Sequence, residues 1–213
     1  MVPSWIDLRF LDSAEKRTFS RGQLIHPEGG EPECAMVLLS GKVKISKSGN
    51  SQRAQIIRFL GEGDLFAYRA IIAGDTYNAE AFAVSACSVL CIPRADFLHL
   101  LHTDIDFCYR VLTQLSIDLN TSEQQTINLT QKHIRGRLAE SLLHLLDQYG
   151  FDEDHSTLAI YLSREELANM SNMITANAIR TLSDFTKEGL VAVDGRKIRI
   201  LDEPALRHIS LKG

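Results

Sequence analysis

Residues 161–190, YLSREELANMSNMITANAIRTLSDFTKEGL, constrain this chain more than any other stretch. Ser163 stands where a helix N-cap belongs, and Glu166 follows three residues on, the spacing of a capping box. Leu167, Ala168 and Met170 give the short helix after it an apolar side. Ser171-Asn172-Met173 interrupts that helix, and asparagine is one of the few non-glycine residues that accept a left-handed backbone. Thr175 is expected to cap a second helix, with Ala178, Ile179, Leu182 and Phe185 on its apolar side and Arg180, Asp184 and Lys187 facing away. Glu188-Gly189 ends it. Two short helices joined by a tight turn make a helix-turn-helix, a shape that enters the DNA major groove.

The next residues extend the motif. Leu190 to Val193, then Asp194-Gly195, then Arg196 to Ile200 reads as two strands around a two-residue turn. Helix, turn, helix and hairpin together are a winged helix. The whole chain carries a net charge of −4, so any affinity for nucleic acid has to come from a local patch. Arg180, Lys187, Arg196, Lys197 and Arg199 supply one.

With 213 residues the chain suits one or two domains. Its 45% hydrophobic and 23% charged content is that of a globular protein. No apolar run approaches the length of a membrane span, and the N-terminal MVPSWIDLRF lacks a signal-peptide layout, so a cytoplasmic location is expected. Cys34, Cys87, Cys91 and Cys108 form no CxxC pair and read as buried free thiols. No nucleophile–base pair, metal spacing or phosphate loop points to an enzyme.

In chain order, residues 1–18 read as a helical lead-in with Trp5, Ile6, Leu8 and Leu11 on its apolar side. From Phe19 to Pro93 short apolar runs alternate with turn-spaced glycines, the texture of a barrel or sandwich. Residues 104–132 contain no glycine or proline, and Ile105, Cys108, Val111, Leu112, Leu115, Leu119, Ile127 and Leu129 recur mostly at spacings of three and four. A long helix with an apolar stripe of Val111, Leu112, Leu115 and Leu119 predicts a dimer seam between two copies of the chain. Another helix spans 134–149, with Gly136 between Arg135 and Arg137 as a hinge-like joint. An acidic loop then leads to a strand-like run at 158–162.

The whole pattern resembles the cyclic-AMP receptor protein / fumarate-nitrate regulator (CRP/FNR) family of bacterial transcription factors. The resemblance rests on Phe19-x-x-Gly22 with Glu28-Gly29, Leu39-Ser40-Gly41-Lys42-Val43 and Gly63-Asp64-Leu65-Phe66. It continues through Gly136-Arg137-Leu138-Ala139, Leu162 to Ala168, and Arg180-x-Leu182. It implies an α+β chain: an N-terminal double-stranded β-helix (β-roll) sensor at 1–103, a long dimerisation helix at 104–134 and a C-terminal winged helix-turn-helix at 135–213. It also implies a homodimer on an inverted-repeat operator in double-stranded DNA, with RNA polymerase as a further partner and no membrane.

Cyclic-nucleotide binders of that family carry Phe-Gly-Glu-x-Ala-Leu-Leu, followed nine residues after the Glu by Arg with Ser or Thr and Ala. Here the aligned residues are Phe66-Ala67-Tyr68-Arg69-Ala70-Ile71-Ile72 and Tyr77-Asn78-Ala79. All four ligand-defining positions depart, and an uncharged tyrosine cannot neutralise a buried phosphate. Binding of cyclic AMP in the usual way is therefore not expected. A small effector among Tyr68, Arg69, Tyr77, Asn78 and Ser122 is the alternative. The clustered N-terminal cysteines of the iron–sulfur members are missing. Haem stays open, with His26, His99 and His102 as candidate ligands. On the DNA side, Thr175, Ala176 and Asn177 replace the family's usual start of the reading helix while Arg180 is kept. Arg180 suits guanine, Asn177 adenine and Ala176 the thymine methyl. Thr175 is expected to touch phosphate as well as cap the helix, Lys197 at the hairpin tip reaches only backbone, and Ser163, Arg164 and Arg196 complete the expected DNA-binding set. A ligand-binding module whose winged helix contacts only protein is the competing class. Salt-dependent binding to duplex DNA separates the two.

Overall fold

Residues 34–39, CAMVLL, are apolar at every position, which suits a strand buried on both faces. The computed structural model describes residues 13–49 and 54–212 and shows how that arises. The chain forms two compact units, the first running to Leu119 and the second from Asn120.

The first unit contains strands β1 (Glu15–Phe19), β2 (Leu24–His26), β3 (Cys34–Ser40), β4 (Val43–Ser48), β5 (Ala54–Leu60) and β6 (Leu65–Phe66). Helix α1 (Tyr68–Ala73), strands β7 (Glu80–Ala83) and β8 (Cys87–Pro93) and helix α2 (Arg94–Thr103) follow. The long helix α3 (Ile105–Gln131) comes next. The strands make two four-stranded antiparallel sheets, ordered β1-β8-β3-β6 and β2-β7-β4-β5. Alternation along β3 sends Cys34, Met36 and Leu38 into one apolar cluster, shared with Val43, Ile45, Ala81, Ala83, Val89 and Cys91. Ala35, Val37 and Leu39 enter another, covered by Tyr68, Ile71, Phe97, Phe107 and Val111. Both faces of β3 are therefore core. Cys34, Cys87 and Cys91 are buried free thiols and Cys108 is half-buried.

The second unit contains α4 (Ile134–Tyr149), α5 (Arg164–Met170), α6 (Thr175–Lys187), β9 (Val191–Asp194), β10 (Lys197–Ile200) and α7 (Glu203–Lys212). Helix α4 supplies Leu138, Ala139, Leu142 and Leu145 to its core, with Leu167, Ala178, Leu182, Phe185 and Val191 also buried. Helix α7 packs on α4, and α5 on α6. Arg135 ties the start of α4 to the end of α6 through a two-pronged bond to Glu188, at 2.7 and 2.8 Å, while its guanidinium lies 4.9 Å from the Phe185 ring centre. This is a β-roll-type fold followed by helices and a winged helix, a mixed α and β architecture.

Several sequence expectations change. Trp5, Ile6, Leu8 and Leu11 lie outside the described residues, and residues 15–19 form β1 paired with β8 rather than a helix. Backbone pairing with the edge of β8, not helical spacing, governs that segment. Residues 158–162 make no regular strand, only isolated bridges of Leu158 with Phe151 and of Thr157 with Arg199. The hairpin turn is Gly195-Arg196, one residue later than expected, because Asp194 pairs with Lys197.

The stripe on α3 divides in two. Val111 is 2% exposed and belongs, with Phe107, to the first unit's own core, and Leu115 packs partly against it. Leu112 and Leu119 remain 56% and 60% exposed, aligned with exposed Ile105 and Tyr109. Ile105, Tyr109, Leu112, Ser116 and Leu119 repeat at alternating spacings of four and three, the seam pattern of a coiled coil. Val111 is thus taken by the β-roll and cannot serve a seam, since half of the stripe had a partner in its own domain.

Candidate nucleic-acid interface and sensor cavity

The helix-turn-helix is assembled by local signals. Ser163 caps α5, accepting from the Glu166 amide at 3.1 Å, while the Glu166 carboxylate accepts from the Ser163 amide at 2.9 Å. Asn172 occupies the turn with φ +47°, the left-handed conformation that asparagine tolerates best among side-chain-bearing residues. The second helix begins differently from the sequence reading. Ile174 is its N-cap and Thr175 its first helical residue, with no side-chain cap bond. Thr175 is therefore half-exposed and its hydroxyl is not used in capping.

Helix α6 buries Ala178, Thr181, Leu182 and Phe185. Its opposite face presents Ala176, Ile179, Arg180, Ser183 and Lys187. Ile179, expected in the core, is half-exposed because Leu182 and Phe185 define a core face that it misses by a third of a turn. With Ser183 it is a surface residue of this face that the apolar-periodicity argument overlooked; the signal available was its position directly beside Arg180. Arg180 donates to Asn177 Oδ1 at 3.3 Å, one turn back on the same helix.

The hairpin tip sits beside this helix pair. Arg164 Nη2 donates to the Gly195 carbonyl at 2.8 Å, so Arg164 holds the tip to α5 rather than standing free. Lys197 Nζ lies 5.6 Å from the Tyr161 ring centre. Arg196 and Arg199 are exposed. Among the described residues none of Arg180, Arg196, Lys197 and Arg199 is salt-bridged to a carboxylate. Lys187, by contrast, is paired with Asp184 at 3.3 Å. Four uncompensated cations on one helix face and its neighbouring hairpin form a local positive surface on a chain of net negative charge.

The sensor cavity lies in the first unit and is lined by His26, Ile45, Arg58, Phe66, Ala67, Arg69, Ala70, Tyr77, Asn78 and Ala79. Arg69, Tyr77 and Asn78 are where the sequence placed them. Tyr68 is not among the lining residues: it is 0% exposed, turned into the helix-covered core against Phe97, and its hydroxyl donates to Asp118 Oδ2 at 3.4 Å. The aromatic ring prefers that apolar pocket to a site built for a carboxylate. Ser122 lies on α3 in the second unit, outside the lining. Ala67 adopts φ +62°, the glycine-like conformation of the aligned position, although it carries a side chain.

The interior is largely filled by its own rings. Tyr77 stacks on His26 with centroids 4.0 Å apart, and Phe66 follows at 6.4 Å. The Tyr77 hydroxyl donates to the Cys34 carbonyl, and burial pushes its pKa up. The remaining space is about 30 Å³, against the roughly 300–1,000 Å³ of pockets for drug-sized ligands. Tyr77 and His26 thus occupy much of the space between the strands in this conformation. His99 and His102, the other haem candidates, are exposed on α2, and His102 Nδ1 is engaged with the Leu98 carbonyl at 2.6 Å.

His26 is 7% exposed, and neither ring nitrogen has a hydrogen-bond partner. Burial holds its pKa down to about 4, with only the adjacent Pro27 backbone acting in the other direction. Its ordinary value is about 6.5, so between these limits the unfolded chain binds more protons than the folded one. The stabilisation is complete above the ordinary value and is lost as pH falls toward the folded one, in total roughly 3 kcal/mol. His26→Phe keeps the ring stack and removes the titration. Urea denaturation at about pH 7 and about pH 4.5 should show the variant losing less stability than the parent. Equal losses would remove His26 from the account.

Two family models match the chain: a cyclic nucleotide-binding domain over residues 16–104 and a Crp-like helix-turn-helix domain over residues 136–209. The transcriptional regulator LdrP of Thermus thermophilus is 27% identical, over 90% of this chain and 95% of its own. A CRP-like cAMP-activated global transcriptional regulator of Mycobacterium tuberculosis is 22% identical, over 88% of this chain and 84% of its own. In fold, the structure of FixK2 from Bradyrhizobium japonicum superposes with a TM-score of 0.82 at 20% identity, covering 92% of this chain and 96% of that one.

Proposed function

We propose, because this chain belongs to the CRP/FNR family of transcription regulators, that it binds an inverted-repeat operator in duplex DNA as a homodimer. The observation that carries the reading is the open face of α6, where unpaired Arg180 stands between Ala176, Ile179 and Ser183, flanked by the hairpin cations. Arg180 offers a bidentate pair to guanine O6 and N7, and Asn177 orients it from one turn back. Ala176 and Ile179 present methyl groups to thymine. Thr175, Arg196 and Lys197 contact phosphates, and the Ser163 capping box with the Arg164 clamp sets the angle between helix pair and hairpin. On this reading the protein acts in the cytoplasm, and RNA polymerase is its further partner.

The mycobacterial relative is described as activated by cyclic AMP; this chain has Tyr77 and His26 filling the space a nucleotide would need. Its effector is of a different kind.

Selection of sites from random duplexes tests the DNA reading. Arg180→Ala should lose about 1–3 kcal/mol on the preferred site and flatten discrimination at one base pair per half-site. Lys197→Ala should weaken all sequences alike and reduce the salt slope by roughly one. Enriched sites without twofold symmetry would rule out the dimer, and an Arg180→Ala variant with unchanged base preference would reduce Arg180 to a positioning residue.

A further inference from the structure

The cavity left between the rings of the β-roll has a charge and a set of open donors that cyclic-nucleotide chemistry does not explain. Among its lining residues are two arginines, Arg58 and Arg69, and no carboxylate. His26 is buried there with both ring nitrogens unpartnered, and the buried Arg58 Nε is likewise without a partner. Buried polar atoms are seldom left in this state: the Arg58 Nε–H and the one N–H of a neutral His26 each lack an acceptor, and the other His26 nitrogen lacks a donor. Arg58 is half-neutralised from its far end, since its Nη1 donates to Asp118 Oδ1 at 2.7 Å. Arg69 is exposed and has no carboxylate partner among the described residues. The lining thus carries one positive charge beyond what Asp118 balances.

We propose that this cavity is a seat for a small oxyanion of carboxylate or nitrate type, held by His26, Arg58 and Arg69. A room of about 30 Å³ takes two or three water-sized groups, which limits the guest to an anion of about four non-hydrogen atoms. The cavity lies within the aligned cassette, but the three holding residues are not at the family's Glu and Arg positions, which here are Tyr68 and Tyr77. One of those has left the cavity and the other fills it.

The same arginine links the seat to the long helix. Asp118 lies on α3, and its carboxylate also accepts from Gln114 Nε2 at 2.9 Å and from the Tyr68 hydroxyl. An anion on Arg58 competes with Asp118 for the guanidinium, so occupancy loosens a bond made to α3. Resting on the DNA-binding reading above, this makes the anion a modulator of operator affinity.

Formate and nitrate are the probes, titrated into the full-length protein at constant ionic strength set by sodium Hepes, whose anion is too bulky for the cavity. Calorimetry and thermal scans should show saturable binding with a rise in Tm. Formate alone points to an organic acid, nitrate alone to an inorganic oxyanion, and both to a seat that takes either; each of these results supports the proposal. His26→Phe should weaken binding at least about tenfold. Asp118→Asn removes the competitor and should tighten it several-fold, a direction that mere loss of structure cannot produce. No saturable response to either probe means that water alone fills the cavity and overturns the proposal, as does a saturable shift with cyclic AMP. Operator binding measured with and without formate keeps the two readings apart. Anion binding without DNA binding sinks the regulator reading only. DNA binding without anion binding sinks the seat only.

Discussion

Leu112→Glu should yield a monomer that folds normally and loses at least about a thousandfold of its operator affinity, the lower end of the margin between specific and non-specific binding. Leu112 is exposed in the single chain, so a glutamate there costs the folded unit little. In a dimer the two copies would bring their Leu112 side chains together on the Ile105, Tyr109, Leu112, Ser116, Leu119 seam. Two carboxylates would then have to be desolvated without partners, which association cannot absorb. One winged helix reads one half-site, so loss of the dimer removes the specific complex. Leu115→Glu is the contrasting variant. Leu115 packs against the first unit's core, so that change should lower Tm instead. Sedimentation of both variants checks this. A dimeric mass for Leu112→Glu, with intact thermal unfolding, would place the interface elsewhere.

Gly41→Ala should unfold the β-roll. Gly41 turns the chain between β3 and β4 with φ +88°, and a Cβ there would lie 2.4 Å from the Ala86 carbonyl oxygen and 2.8 Å from Cys87 Cα. Those are backbone atoms at the start of β8, which pairs with β3 through Ser40 and Ser88, so they cannot move without opening the central ladder. Left-handed strain adds about 1–2 kcal/mol for an L-residue, and the total should exceed about 4 kcal/mol. Gly74→Ala is the control. Gly74 has φ +67° but nothing within 4 Å of an added Cβ, so it carries the strain without the clash. Thermal scans should show Gly74→Ala lowered by a few degrees and Gly41→Ala without a cooperative transition for the first unit. Similar behaviour of the two would show that the β3–β4 corner yields more easily than its geometry indicates.

The winged helix was legible because its signals are local. The capping box of Ser163 and Glu166, the left-handed Asn172, the 3.6-residue spacing of Ala178, Leu182 and Phe185 and the glycine at the hairpin each act within a few residues. Their errors are local too: the cap moved from Thr175 to Ile174, and the hairpin turn shifted by one residue. The glycine-punctuated strands and the departure of the cyclic-nucleotide cassette could also be read from residue identities alone.

What the sequence could not decide was which of several equivalent positions would find a partner. On α3, Phe107 and Val111 recur at helical spacing just as Tyr109 and Leu112 do, and periodicity cannot rank the two stripes. Docking against β3 and β8 buried the first and left the second open. Tyr68 could face a ligand or a core, and the helix-covered core with Phe97 and Asp118 took it. His26 and Arg58, 32 positions apart in the sequence, line one cavity only because β2, β7, β4 and β5 share a sheet. Helix ends and turns obey short-range sterics and hydrogen bonding, so the sequence determined them alone. The open seam and the charged cavity depend on which long-range surfaces meet, and only the tertiary structure decided those.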